Sequence, residues 1–199
     1  MKNKNGTYTV KNESGTVTLY VDTLSQDIVD IDVAPGETRV KFETERINTR
    51  NSAYSTRVRL WNIFKQFPDV TTIEIGSGVY SIDINNETFP NVRHVISKNN
   101  NFVNGKSMLL SKVHNGLKLR NSFCLKENEV LDLSGVMVLD AYSLSGCMSD
   151  KIINEGKVNY IDKDAFVGSI FTLKNTDSSV VMAGTMLVDV NTGFDETDF

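Results

Sequence analysis

Residues 136–147 read Val-Met-Val-Leu-Asp-Ala-Tyr-Ser-Leu-Ser-Gly-Cys, and residues 158–169 read Val-Asn-Tyr-Ile-Asp-Lys-Asp-Ala-Phe-Val-Gly-Ser. The second stretch restates the first 22 positions on. Val136 matches Val158, Leu139 matches Ile161, Leu144 matches Phe166, Gly146 matches Gly168, and Cys147 matches Ser169. Apolar character is kept at fixed positions while the residues between change freely. A stacking unit has this pattern, because each copy must fill the same core slot.

The same interval recurs upstream. Phe67-Pro68-Asp69-Val70-Thr71-Thr72-Ile73 is echoed 22 residues later by Phe89-Pro90-Asn91-Val92-Arg93-His94-Val95. Between them, Gly76-Ser77-Gly78 reads as a turn leading into Val79-x-x-Ile82, the counterpart of Val136-x-x-Leu139. Residues 97–128 break the rhythm. Met108-Leu109-Leu110 and Leu117-x-Leu119 flank His114-Asn115-Gly116, and Asn-Gly between apolar runs predicts a β-hairpin. Gly184 through Gly193 has a similar composition and predicts a second hairpin at about 180–193. Both hairpins, at about 99–119 and 180–193, are expected as insertions in a repeat array, so the first should tolerate deletion better than a 22-residue unit.

Residues 1–66 lie outside the repeats and predict an N-terminal β/α cap. Residues 1–15 are polar and predict a loose start. Val17, Leu19 and Val21 alternate with polar residues, as a half-buried strand does. Val29, Ile31 and Val33 alternate likewise, and Pro35-Gly36 then predicts a turn joining 28–33 to 38–43 as a hairpin. Over 52–67, Tyr54, Val58, Trp61, Phe64 and Phe67 recur at three- to four-residue spacing. That predicts an amphipathic helix ended by Pro68, with the single Trp in the core.

Composition sets the class. The chain has 199 residues, is 40% hydrophobic and 23% charged, and has a net charge of −4. This describes a folded globular chain and gives no general attraction to nucleic acid. Residues 36–66 hold seven basic side chains (Arg39, Lys41, Arg46, Arg50, Arg57, Arg59, Lys65) against Glu37, Glu43 and Glu45, so the remainder is acidic. Two cysteines do not make a disulfide scaffold, and Cys147 reads as a small core side chain. No stretch is long and apolar enough to span a membrane, and no signal peptide is evident at Met1. The chain as written is therefore expected in the cytoplasm, or at the cell surface if it is part of a longer protein.

The repeats resemble the BspA-like, or Treponema-type, leucine-rich repeats of bacterial proteins. The resemblance rests on Leu131-Asp-Leu133, Val136-x-x-Leu139 and Ser143-Leu144-Ser145-Gly146-Cys147. It continues in Ile152-Ile153, Val158-x-x-Ile161 and Ala165-Phe166-Val167-Gly168-Ser169, and it covers about residues 67–193. The first copy, Ile73-Glu-Ile75 with Val79-x-x-Ile82, departs at its ending, Thr88-Phe89-Pro90-Asn91. The resemblance implies a mainly β, right-handed leucine-rich-repeat-like solenoid with short helical or turn segments and one strand per repeat on a concave face. It implies no catalytic residues, and it implies a binding or adhesive role, often at the cell surface.

The search for chemistry points the same way. His94 and His114 have no partners at metal-ligand spacing, and no nucleophile elbow, phosphate loop or dinucleotide fingerprint occurs. The acidic residues from Asp189 through Asp198 lack the spacing of a calcium loop. No catalytic, metal or cofactor residues are assigned, and the chain is expected not to be an enzyme. Two readings remain. In the first, another protein binds the variable positions of the strand face: Thr72, Glu74, His94, Ile96, Asp132, Lys151 and Thr172. In the second, the chain is a structural cap or assembly segment of a larger surface protein and self-associates through its C-terminal repeat.

Overall fold

Alternating apolar residues build strands along nearly the whole chain. The structure, a computed structural model, describes residues 2–3, 6–44, 56–174, 180–183 and 186–190. The first strands are β1 (Lys2–Asn3), β2 (Thr7–Lys11), β3 (Val17–Asp22), β4 (Ile28–Val33), β5 (Arg39–Phe42) and β6 (Thr56–Leu60). They are followed by β7 (Thr72–Ile75), β8 (Val79–Ile84), β9 (His94–Ser97), β10 (Phe102–Val103), β11 (Gly105–Lys106), β12 (Leu109–Val113) and β13 (Gly116–Asn121). The last are β14 (Val130–Asp132), β15 (Val136–Leu139), β16 (Lys151–Ile153), β17 (Tyr160–Ile161), β18 (Val180–Ala183) and β19 (Met186–Val190). Among the described residues, helix is confined to a 3-10 turn at Glu155–Lys157 and α1 (Ile170–Lys174). The protein is a β-solenoid of about 5 turns.

Each plain turn supplies two strands, one to each of two facing sheets. The strands β5, β7 and β9 run parallel, with Thr72 beside His94 and Ile73 beside Val95. The opposite wall is β4, β6 and β8, also parallel. Val40, Phe42, Ile73, Ile75 and Val95 from one wall meet Ile28, Val58, Leu60, Ile82 and Ile84 from the other in a single core. Downstream, β14 pairs with β16, and β13, β15 and β17 form the second wall around a second core. Each wall thus carries one strand per turn, and the Val-x-x-Ile element supplies the strand of the second wall, because both of its ends face the core.

The 22-residue interval is one physical turn. The amide of Ser143 donates to the Asp140 carbonyl, and that of Ala165 to the Asp162 carbonyl. Cys147 donates to Leu144, and Ser169 to Phe166, in the same way. Gly146 and Gly168 both have φ +71°, a left-handed conformation that favours glycine. Leu144, Phe166, Cys147 and Ser169 are all buried. In the earlier pair, Val70 and Val92 are buried and Phe67 stacks on Phe89 at 5.6 Å.

Several expectations for the N-terminal third are overturned. Residues 56–60 form β6, not a helix. Thr56, Val58 and Leu60 are buried while Arg57 and Arg59 are exposed, so the period is 2 and parallel pairing to β4 and β8 prevails. Trp61 is 38% exposed and Phe64 is 99% exposed, so neither is core. Tyr54 lies outside the described residues. The segments 28–33 and 38–43 are not a hairpin either. The Pro35-Gly36 turn carries the chain from β4 in one sheet to β5 in the other. Residues 7–11 are not loose, because β2 pairs along its length with β3. The N-terminal strands form the antiparallel run β1–β2–β3–β4, with no helix among the described residues of 1–66, and the parallel ladders begin at β4 and β5, upstream of residue 67.

The Asn115-Gly116 hairpin forms as expected, with Val113 beside Gly116 and Asn115 at φ +63°. It is not a dispensable insertion. From opposite faces of β12, Leu109 points into the first core and Leu110 into the second; β13, which bulges at Arg120, pairs in parallel with β15. The hairpin is the wall shared by the two cores. The C-terminal hairpin is β18–β19, with Ala183 beside Met186. Gly184, Thr185 and residues 191–199, which include Asp195, Glu196 and Asp198, lie outside the described residues.

Candidate interaction surfaces

Two outward sheet faces gather the polar side chains that the cores leave out. The first is on the sheet β11–β9–β7–β5. In register across it run Arg39, Thr72, His94 and Lys106, and beside them Lys41, Glu74 and Ile96. Arg39, Lys41, His94 and Lys106 are exposed. Glu74 is only 4% exposed, because Arg39 forms an ion pair over it and Lys98 approaches to 3.8 Å from the other side. Lys41 pairs with Glu43. The face therefore carries more positive than negative charge, with one carboxylate enclosed among its cations.

Four of the seven predicted face residues, Thr72, Glu74, His94 and Ile96, share this surface. Asp132 and Lys151 lie apart on β14 and β16, where Asp132 is beside Ile153 and Lys151 beside Val130. The Asp132 carboxylate accepts from Asn154 Nδ2 at 2.9 Å and from Ser134 Oγ and N. Hydrogen bonding by Asn154 and then Ser134 holds its pKa below the usual carboxylate value. Its role is to tie one turn to the next. Thr172 is not on a strand at all. It lies on α1, and its Oγ1 donates to the carbonyls of Phe166 and Ser169 at 3.1 and 3.0 Å. Ile170-Phe171 continues the buried pattern without alternation, so the strand reading of Thr172 gives way to a helical turn that seals the second core.

The second face was not anticipated, because half of it lay in the supposed helix. Arg59 on β6 is beside Asp83 on β8. On β13, Arg120 donates to Asp140 at 2.8 Å, and Lys118 is 3.4 Å from the same carboxylate. Asp27, 1% exposed, accepts from the Arg57 backbone and guanidinium at 3.3 Å, with Arg59 at 3.7 Å. Just beyond β6, the Trp61 ring meets Tyr142 at a centroid distance of 5.1 Å and a tilt of 46°. The legible signal was Thr56-Arg57-Val58-Arg59-Leu60 and Lys118-Leu119-Arg120, alternating runs with cations on one side.

Two buried asparagines join the halves of the molecule beneath this face. Asn86 Nδ2 donates to the carbonyls of Tyr142 and Ser145, and Asn121 Nδ2 to that of Ile84 at 3.1 Å. Burial pushes the Cys124 and Cys147 thiols up to about 11. Both cysteines are free, and both thiols are protonated at neutral pH.

Among the described residues, no group of three or more His, Cys, Asp and Glu side chains is placed to hold a metal ion, and no helix is long and apolar enough to cross a membrane. What the fold and its surfaces define is a β-solenoid with two patterned outward faces. Comparison with protein-family models, with curated proteins and with solved structures finds no match.

Proposed function

We propose that the chain is a non-catalytic protein-interaction module that presents the β11–β9–β7–β5 face to a protein partner. The observation that carries this reading is the ladder Arg39–Thr72–His94–Lys106. Its core rungs repeat, while its outward rungs differ in size and charge from one strand to the next. A structural face needs no such variation, and a recognition face uses it. The excess of cations favours a partner segment bearing carboxylates, through complementary potentials. The resemblance to BspA-like repeats, whose members act as binding or adhesive modules, supports the same role.

The test is co-purification from the native host, comparing the wild-type chain with Lys41→Glu/Lys98→Glu/Lys106→Glu. A specific partner is expected with wild type and not with the variant, while both melt at the same temperature. Retention of the same proteins by the folded variant would count against the reading.

A second reading, assembly through the last turn, rests on its edges. Among the described residues, β16 pairs only with β14, and β17 only with β15. Their surroundings expose Ile153, Val167 and Tyr160, the last at 56%. Open strand edges invite pairing with another chain. Concentration-dependent association in sedimentation, lost in Tyr160→Lys, would support this reading, and a monomer at all concentrations would refute it.

A further inference from the structure

The face of β6, β8, β13 and β15 holds aromatic and ionic groups that neither core uses and that lie apart from the sheet assigned to a protein partner. Trp61 is the first residue beyond β6, two positions past Arg59, in a turn closed by the Ile63 amide on the Leu60 carbonyl, and it is 38% exposed. Its partner ring is held from below. Tyr142 has φ +56°, its amide donates to the Asp164 carbonyl at 3.0 Å, and its carbonyl accepts from buried Asn86 at 3.2 Å. The two rings are thus set by the ends of two separate strands and by a buried amide, not by a free loop alone.

Beside them lies Asp83. Among the described residues its carboxylate accepts no hydrogen bond and forms no ion pair. Arg59 and Arg120 stand near enough to act on its charge, but Arg59 leans to Asp27, and Arg120 is engaged by Asp140 and by Ser111 at 3.2 Å. Partial desolvation by the face outweighs those cations and raises the Asp83 pKa above the ordinary carboxylate value. The surface therefore offers a half-exposed aromatic ring, an acceptor with unused lone pairs, and guanidinium donors that each already lean to a carboxylate.

We propose that this face is a saccharide-binding platform, on which Trp61 stacks against the apolar side of a sugar ring while Asp83 accepts from its hydroxyls and Arg59 donates to its oxygens. The charge pattern selects the ligand. Arg57 and Arg59 share Asp27, and Lys118 and Arg120 share Asp140, so each cation already has a carboxylate partner, and the unpaired Asp83 carboxylate would repel a phosphate set beside it. A cationic ligand would meet four positive side chains around the single free carboxylate. A neutral polyol with both donors and acceptors, and with C–H faces for the indole, satisfies every group on the platform.

Trp61 is the only Trp in the chain, so intrinsic fluorescence reports this site alone. The full chain is titrated with soluble neutral oligosaccharides: cello-, malto-, laminari-, manno- and chito-oligomers. A saturable change in Trp emission is expected with at least one of them, at a Kd between about 10 μM and about 1 mM. In Asp83→Asn that affinity falls about tenfold or more, and in Lys106→Ala it is unchanged. Calorimetry with Trp61→Ala, folded by its melting temperature, should show no binding. The proposal is overturned if no oligomer perturbs Trp61 at concentrations up to about 10 mM, a limit well above that range. It is also overturned if binding survives Trp61→Ala, or if Trp61 responds only to a protein of the host. None of these outcomes bears on the β11–β9–β7–β5 face.

Discussion

Leu139 lies beside Ile161 in the parallel ladder of β15 and β17, and both side chains pack into the second core. Five residues on in each copy, Leu144 and Phe166 are buried in turns closed by the same backbone hydrogen bonds. Replacing Phe166 by Ala removes a ring that also meets Phe171 edge-on at 5.7 Å. The expected loss is about 3–5 kcal/mol, and Leu144→Ala should cost about 2–5 kcal/mol, both read from urea melts. Losses below about 1 kcal/mol would show that the copies are misaligned.

The hairpin between the cores is a structural wall. Deleting residues 99–119 removes Phe102, Leu109, Leu110 and Leu119 together with most of β13, on which β15 is laid. The deleted chain is expected to lose cooperative unfolding and to bind hydrophobic dye. A cooperative melt close to that of the full chain would contradict the shared-wall arrangement.

Asn86 is a buried amide that spans the halves. Asn86→Ala leaves the Tyr142 and Ser145 carbonyls without their donor, at an expected cost of about 1–3 kcal/mol. The same substitution should loosen the Trp61–Tyr142 contact, visible as a red shift of Trp emission. An unchanged spectrum would mean that Asn86 does not position Tyr142.

Burial of the two thiols gives a pH dependence with a defined sign. Each thiol titrates at about 11 in the folded chain, against 9.0 for an ordinary exposed thiol. Above 9 the unfolded chain gives up these protons and the folded chain does not, so folding stability is intact below pH 9 and falls between about pH 9 and 11. Cys147→Ser, which copies Ser169 of the next turn, should flatten that fall. Alkylation of the native protein by iodoacetamide at pH 8 should be slow, and it should become fast in denaturant.

Much of this architecture was legible in the residues because core slots repeat. Val70 and Val92, or Leu144 and Phe166, announced the turn length before any strand was placed. Gly146 and Gly168 recurred at the same interval, and Asn115-Gly116 marked a hairpin. The supposed helix at 52–67 failed because Trp61 and Phe64 completed a three- to four-residue spacing by accident. They are surface residues, and the alternation of Thr56, Val58 and Leu60 was the stronger physical signal. The role of β12 was hidden for another reason. Adjacent residues Leu109 and Leu110 serve different cores because successive strand residues point to opposite faces, and a strand buried on both faces shows no apolar–polar alternation. The first face was legible through Thr72, Glu74, His94 and Ile96, since strand register follows from the repeat. Thr172 was misplaced because the repeat ends in a helical turn. The second face depends on strands far apart in sequence, β6 and β8 against β13 and β15, and Asp83 comes within reach of the Arg120 charge only after folding.

The register of adjacent turns underlies every surface described above, and NMR of the backbone amides tests it most directly. Cross-strand contacts are expected between the paired residues Thr72 and His94, Ile73 and Val95, and Val138 and Tyr160, each 22 positions apart. Contacts of these six residues at any other interval, or helical amide–amide contacts through residues 56–60, would contradict the solenoid and both faces with it.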